Sequence, residues 1–408
     1  MSNTEKIIDG LKLAGLCLFA FSVVFSVSAV QAALFLVLAA LLAGKYRDGT
    51  LSAEIKGLVR HPLFIPWAVY LGACLLAASL AFFPKKGFSQ LNSDFLKYVC
   101  LATLLLAVKK DRVPLISRFY TSAALFSAVI GIYKMLQAVP GVSPNSDFRA
   151  RAFMNPVRYG EIMAIATLFI LAKLLLSRKE DSRVEKAFYS MAGVASFVAV
   201  ILSQTRGAYL GLFAGLGCMF LFSKGARLRM AGLLLALLLI GGATMRFNPA
   251  LSQRFTSMAE TASSGSTSDE AINIRLDLWR LGAKMFLTHP IVGVGPDNVK
   301  PVFTKFKPDL IFGTTWGSLH NLYLHQATER GLVGLGALLF LFLAMFVFAF
   351  RLFRAAPGPF TLWAACVLPA HYVMNITEIS FQHVHTSFAV FMALAFASAY
   401  SKGIPETN

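Results

Sequence analysis

Charge is scarce in this chain. Asp, Glu, Lys and Arg together make up 14% of its residues, against roughly a quarter in soluble proteins. Hydrophobic residues make up 57%, more apolar surface than a water-facing fold can hide but a natural load for lipid. Cysteine is also sparse: Cys17, Cys74, Cys100, Cys218 and Cys366 all lie in apolar runs without metal-ligand spacing, which excludes a disulfide framework or zinc module. They read as small buried hydrophobes. No Asp-x-Asp pair occurs, which argues against a metal-dependent nucleotide-sugar transferase. There is no phosphate-binding P-loop, and Gly293-Val-Gly295 is too short for a dinucleotide fingerprint. Nothing suggests nucleic-acid binding, and no internal repeat is visible. His383-Val-His385 has the makings of a chelating pair, but an interfacial structural role suits it better. No cofactor and no metal are expected.

What the sequence does have is a series of apolar runs separated by short polar breaks, at 11–27, 29–44, 63–83, 95–108, 113–139, 157–176, 187–203, 207–222, 228–246, 332–350, 360–378 and 385–401. Each is near the length a bilayer demands, so the expectation is an all-α polytopic membrane bundle of about twelve transmembrane helices. Lys6 and Lys12 before an apolar stretch, then Ala29-Val30-Gln31-Ala32, imitate a secretory signal. The chain runs straight into another apolar run, which favours an uncleaved first hairpin. With the N-terminus inside, every cytoplasmic break is basic: Lys45, Arg47, Lys56 and Arg60; Lys109, Lys110 and Arg112; Arg178, Lys179, Arg183 and Lys186; Lys224, Arg227 and Arg229; Arg351 and Arg354. One register thus satisfies the positive-inside rule, and much of the net charge of +18 is topology signal. Three regions follow: residues 1–246 with the first nine spans, an outer region at 247–331, and residues 332–408 with the last three spans and a cytoplasmic C-terminus.

The outer region is the only stretch long enough for structure outside the membrane. Thr261 to Ser268 is rich in turn residues. Asn273 to Leu287 has helical periodicity, with Ile274, Leu278, Leu281 and Met285 on one face, as suits a helix lying on the membrane surface. His289-Pro-Ile-Val-Gly-Val-Gly-Pro-Asp-Asn298 reads as a tight turn.

Several arginines fall on the outer face, where topology does not explain them: Arg149, Arg151 and Arg158 around one loop, Arg206 between two apolar runs, and Arg275 and Arg280 on the surface helix. Cations at membrane depth are costly and mark a function or a partner, and arginine suits bidentate phosphate contacts. Blander roles stand beside these. Arg206 has the reach to snorkel to the interface, Arg149 and Arg151 suit a solvated loop, and Arg280 is spaced to pair with Asp277. Downstream, Gly317-Ser318 reads as a helix start with Ser318 as N-cap. That places His320 in the first turn, where the helix dipole favours the neutral imidazole a general base requires. Asn321, His325 and Glu329 recur at i, i+4 on another face. The choice for His320 between structure and catalysis stays open on these grounds.

Thr205-Arg206-Gly207, Arg275-x-x-x-Trp279, His289-Pro-x-x-Gly-x-Gly295 and His320-Asn-x-x-Leu-x-x-x-x-Glu329-x-Gly331 follow in order. Together they resemble the O-antigen ligase and polymerase superfamily, which includes bacterial protein O-oligosaccharyltransferases. Phe153-Met-Asn155-Pro156 is similar to the family's outer Asn-Pro turn. The resemblance implies an enzyme of the Gram-negative inner membrane with its active site facing the periplasm. Its donor would be a glycan on undecaprenyl diphosphate, and its acceptor a lipid A–core sugar, with membrane lipids around it. It implies metal-independent, inverting transfer, with His320 as general base and Arg206 and Arg275 on the diphosphate. Arg151, Arg158 and Arg280 are weaker candidates for phosphate contacts, and Tyr209, Asn298 and Tyr323 for shaping the pocket. A polymerase, an oligosaccharyltransferase and, outside the family, a lipid-linked glycan flippase are the alternatives. The charge pattern also predicts an orientation: a reporter active only outside the cytoplasm should be active when fused after Ser266 and silent after Lys110. The reverse pattern sinks the orientation.

Overall fold

The computed structural model describes residues 2–137, 149–177, 182–246, 270–307, 311 and 313–402. The turn-rich stretch Thr261–Ser268, the basic pair Arg178 and Lys179 and the C-terminal 403–408 lie outside the described residues. The described chain is all helical, with no strand beyond an isolated bridge between Ile311 and Thr314. In order the helices are α1 (Asn3–Ser22), α2 (Val27–Arg47), α3 (Leu51–Val59), α4 (Phe64–Ser79), α5 (Pro84–Ala107), α6 (Val113–Leu136), α7 (Pro156–Leu175), α8 (Arg183–Leu202), α9 (Arg206–Phe222), α10 (Arg227–Arg246), α11 (Glu270–Thr288), α12 (Val299–Phe306), α13 (Leu322–Ala355), α14 (Pro359–Met374) and α15 (Val384–Ser401).

Local chemistry explains several boundaries. Ser2 and Glu5 form a reciprocal capping box on α1, and Asn155 caps α7 ahead of Pro156, which fits the first helical position. Every expected apolar run overlaps a helix. Among the described residues, 6 helices are long and apolar enough to cross a membrane, or 7 if α3 and α4, which meet at a bend of 78°, make one span. The run expected at 95–108 belongs to a longer helix, because Pro84 starts α5 about three turns earlier.

α7, α14 and α15 are buried almost all round, the signature of central helices. α9 packs on α14 and α7, while α13 packs on α4, α14 and α15. α10 sits at the periphery with Leu228 88% and Leu238 73% exposed, a surface suited only to lipid. A second, smaller core lies beside the main one, where Leu278, Leu281 and Met285 of α11 meet Val294, Val299, Val302, Phe303 and Leu319, with Ile274 packed against them. The apolar face expected on α11 is therefore real, but protein covers it. Val299, Val302 and Phe303 of α12, with Ile311 and Leu319, pack on that face.

α13 is broken. Gly331 has φ 63° and ψ −164° inside an otherwise helical run, so the helix stops at Arg330 and restarts beyond. A break among apolar side chains frees backbone groups that must find partners. The 290–295 segment supplies them. Val294 and Gly295 donate to the carbonyls of Thr328 and Glu329 at 2.9 Å each, and Leu332 and Val333 donate to Pro290 and Ile291. The His289-Pro-x-x-Gly-x-Gly295 motif is thus a strap along the break rather than a simple turn. The backbones lie so close that a Cβ on Gly331 would sit 2.1 Å from the Ile291 carbonyl oxygen. His289 packs edge-on against Phe82 and near Phe306, and Asn298 ties the far end of the strap to the backbone of Phe83.

Behind the break lies a buried ionic network. Arg330 contacts Glu329 at 3.1 Å and Asp94 of α5 at 2.9 Å, Asp94 also holds Lys97, and His325 lies 3.5 Å from Glu329. Each of the two carboxylates faces at least one cation. This is the arrangement in which buried charge is tolerable. It locks α5 to the half of α13 that precedes the break. We expect Gly331→Ala to cost roughly 1–3 kcal/mol through the left-handed conformation and the contact with Ile291. Thermal unfolding of the purified variant should show a lowered midpoint; a midpoint equal to wild type would show that no strain resides at the break.

Candidate functional site

At the α11 end of the bundle is a cleft of about 480 Å³ whose walls include Arg149, Arg206, Tyr209, Arg275, Trp279 and Glu378. Val157, Leu210, Ile272 and Leu276 supply apolar wall. The cleft combines cationic groups with a surface for aliphatic chain.

Each wall residue is set by local structure. Arg206 opens α9, and α9 can approach the 374–378 segment because residue 207 is glycine: a Cβ there would lie 2.4 Å from the Thr377 hydroxyl. The bend before α9 is tethered from the other side. Arg149 donates to the Ser203 carbonyl at 2.8 Å and to the Thr205 hydroxyl at 3.1 Å, and Ala150 donates to Leu202. Thr205 in turn donates to Pro156, and the Tyr209 hydroxyl donates to Ile201. Arg275 and Trp279 are one helical turn apart on α11 and face the same way. The Trp279 indole donates to the Leu319 carbonyl at 3.0 Å, which draws the 318–320 segment up to Arg275.

Glu378 joins the pieces. Its Oε1 accepts from Arg275 Nη2 at 2.9 Å, and its Oε2 lies 2.9 Å from His320 Nδ1. The backbone is held to match, because Leu322 at the start of α13 donates to the carbonyls of Asn375 and Glu378. Burial pushes the Glu378 carboxyl pKa upward, but hydrogen bonding and charge from His320 and Arg275 outweigh it and leave the pKa below its ordinary value.

The sequence pattern predicts a helix start at Ser318. The structure instead starts α13 at Leu322, with the Asn321 side chain accepting from Leu324 as the cap. His320 precedes the helix, with φ 49°. Ser318 accepts from the His320 backbone within a turn, as serine does outside helices. The helix dipole therefore does not act on His320 in the way its expected position implies; the neighbour of its Nδ1 is a carboxylate.

Among the expected residues, Arg206, Arg275 and Tyr209 line the cleft, and His320 is tied to it through Glu378. The others stand apart. Arg280 points outward, 78% exposed, and bonds Asp277 at 3.2 Å, which is the minor intrahelical pair its spacing allows. Asn298 is buried in the strap. Tyr323 spends its hydroxyl on the Tyr372 carbonyl. Arg151 and Arg158 are not among the cleft's walls. Arg149, which suits a solvated loop on sequence grounds, is half-buried and lines the cleft. Glu378 was not legible as a site residue; its only trace is a single acid closing an apolar run on a face otherwise marked by arginines.

Residues 191–339 match the family model described as O-Antigen ligase. The chain is also 27% identical over 202 residues to an uncharacterized protein of Haemophilus influenzae. That match covers 46% of this chain, and the chain spans about half (49%) of the relative's length. The matched family region contains Arg206, Arg275, His320 and the strap, but not Glu378.

The lowered Glu378 pKa has a thermodynamic consequence. A carboxyl depressed by folding contributes stability above its unfolded pKa, here the ordinary 4.5, and loses it as pH falls through the folded value. The stability difference between wild type and Glu378→Gln should therefore shrink as pH falls below about 5, followed by unfolding at stepped pH. A difference unchanged down to pH 2 contradicts the assignment.

Proposed function

We propose, from the match of residues 191–339 to the O-antigen ligase family model, that this chain is a member of that superfamily and a glycosyltransferase of the ligase type. It moves a glycan from undecaprenyl diphosphate to a sugar hydroxyl of lipid A–core at the periplasmic face of the inner membrane. The observation that carries this reading is the convergence of Arg206 and Arg275, from separate helices, on one apolar-walled cleft that Glu378 links to His320. Guanidinium groups beside a lipid-compatible wall suit a lipid diphosphate, and a half-buried imidazole beside them suits proton removal.

In this mechanism the acceptor hydroxyl attacks the anomeric carbon as His320 Nε2 takes its proton. The bond from that carbon to the diphosphate oxygen breaks, and the electron pair leaves with the diphosphate. Arg206 and Arg275 stabilise the charge that grows there, the role a divalent ion plays in many soluble transferases. A single displacement inverts the anomeric configuration. Arg149 is added to the diphosphate contacts, while Arg151 and Arg158 remain weaker candidates for diphosphate or core-phosphate contacts. The topology proposed with this function is about twelve spans with both termini in the cytoplasm.

The test is transfer by the purified full chain in detergent, with polyprenyl diphosphate-linked glycan, lipid A–core and a metal chelator. Wild type should transfer despite the chelator. His320→Ala and Arg275→Ala should each lower the rate by about 10²-fold or more while remaining folded. Lengthening of the donor glycan instead would identify a polymerase. No transfer, with labelled donor crossing a liposome bilayer, would identify a flippase.

A further inference from the structure

Glu378 is one carboxylate shared by two donors on different elements. Arg275 of α11 holds one oxygen and His320 the other, both at 2.9 Å, and the side chain is 7% exposed. An ionised carboxylate only accepts hydrogen bonds, so the His320 nitrogen facing it must carry the proton. That leaves Nε2 with its lone pair. A histidine in water has no such instruction and a bare cleft would not supply one.

The second partner makes the arrangement responsive. Other groups around Glu378 are Arg206 of α9 and Arg149, which line the same cleft, and Glu161 of α7, which bonds Ser380 and lies 3.9 Å from His383. A phosphate entering the cleft competes with Glu378 for the Arg275 guanidinium, since both offer paired oxygens to one fork. As Arg275 turns to the phosphate, the charge of Glu378 falls more fully on His320, where it stabilises the imidazolium that forms when the acceptor loses its proton.

We propose that Glu378 is a positioning residue that holds His320 with its proton on Nδ1 and surrenders Arg275 to the diphosphate, so that donor binding readies the base. This rests on the transferase reading above for its ligand, but the His320 part stands on geometry alone. It makes a prediction of opposite signs. Removing the Glu378 charge should help the anion bind, because competition and repulsion are lost, and should slow the chemical step.

Two measurements on the full chain in nanodiscs test it. The first is ¹⁵N NMR of labelled histidine, with the His320 signal assigned by its loss in His320→Gln. Wild type should show the Nδ1–H tautomer and Glu378→Ala mainly Nε2–H; wild type in the Nε2–H form overturns the proposal even where the alanine variant fails to fold. The second uses inorganic pyrophosphate as probe. Glu378→Gln should bind it about tenfold tighter than wild type, and in the transfer assay should show a lower KM with kcat reduced at least about tenfold. Binding equal to or weaker than wild type overturns the exchange of Arg275. If neither protein binds pyrophosphate, the diphosphate reading of the cleft fails along with that exchange, and the tautomer measurement alone decides the role of Glu378 toward His320.

Discussion

A helix that breaks among apolar side chains must find partners for the backbone groups it frees, and much of the site end of this protein follows from how α13 meets that demand at Gly331. The strap from Pro290 to Gly295 runs beside the break and exchanges backbone hydrogen bonds across it. Because the strap is continuous with α11 on one side and α12 on the other, both helices are fixed relative to α13. The small core around Leu278, Val294 and Leu319 then closes over the junction. Arg275 and Trp279 project from α11 in a direction the strap has already set, and the Trp279 hydrogen bond to Leu319 brings His320 within reach.

Two sets of charges accompany this arrangement and behave differently. The network of Asp94, Lys97, Glu329 and Arg330 is buried and pairs each carboxylate with a cation, and it holds α5 against α13. The second set, Arg149, Arg206, Arg275 and Glu378, lines the walls of the cleft, where a ligand can reach it.

The extent to which the site was legible in the sequence varies with the range of the interactions involved. Apolar runs announced the helices, since each element's burial reflects its own composition. The periodicity of Ile274, Leu278, Leu281 and Met285 named the right face of α11 but not what covers it, because a lipid surface and a protein core make the same demand of a side chain. Arg206, Arg275 and His320 could be singled out as polar residues in costly places. Ser318 was a false helix start for a local reason: serine satisfies a turn as readily as an N-cap, and Asn321 competes for the cap three residues on.

The sequence by itself determined a helical membrane protein, the places of its apolar helices, and a short set of cations and a histidine whose spacing resembles that of the O-antigen ligase superfamily. Those features depend on near neighbours in the chain and on solvent preference. Tertiary structure decided which of the candidates meet. It took Arg280, Asn298 and Tyr323 out of the cleft, brought Arg149 in, and set Glu378 between Arg275 and His320. These pairings join residues 58 and 103 positions apart. Contacts at that separation depend on how whole helices pack and on where one of them breaks, and neither is encoded in the pattern of any single segment.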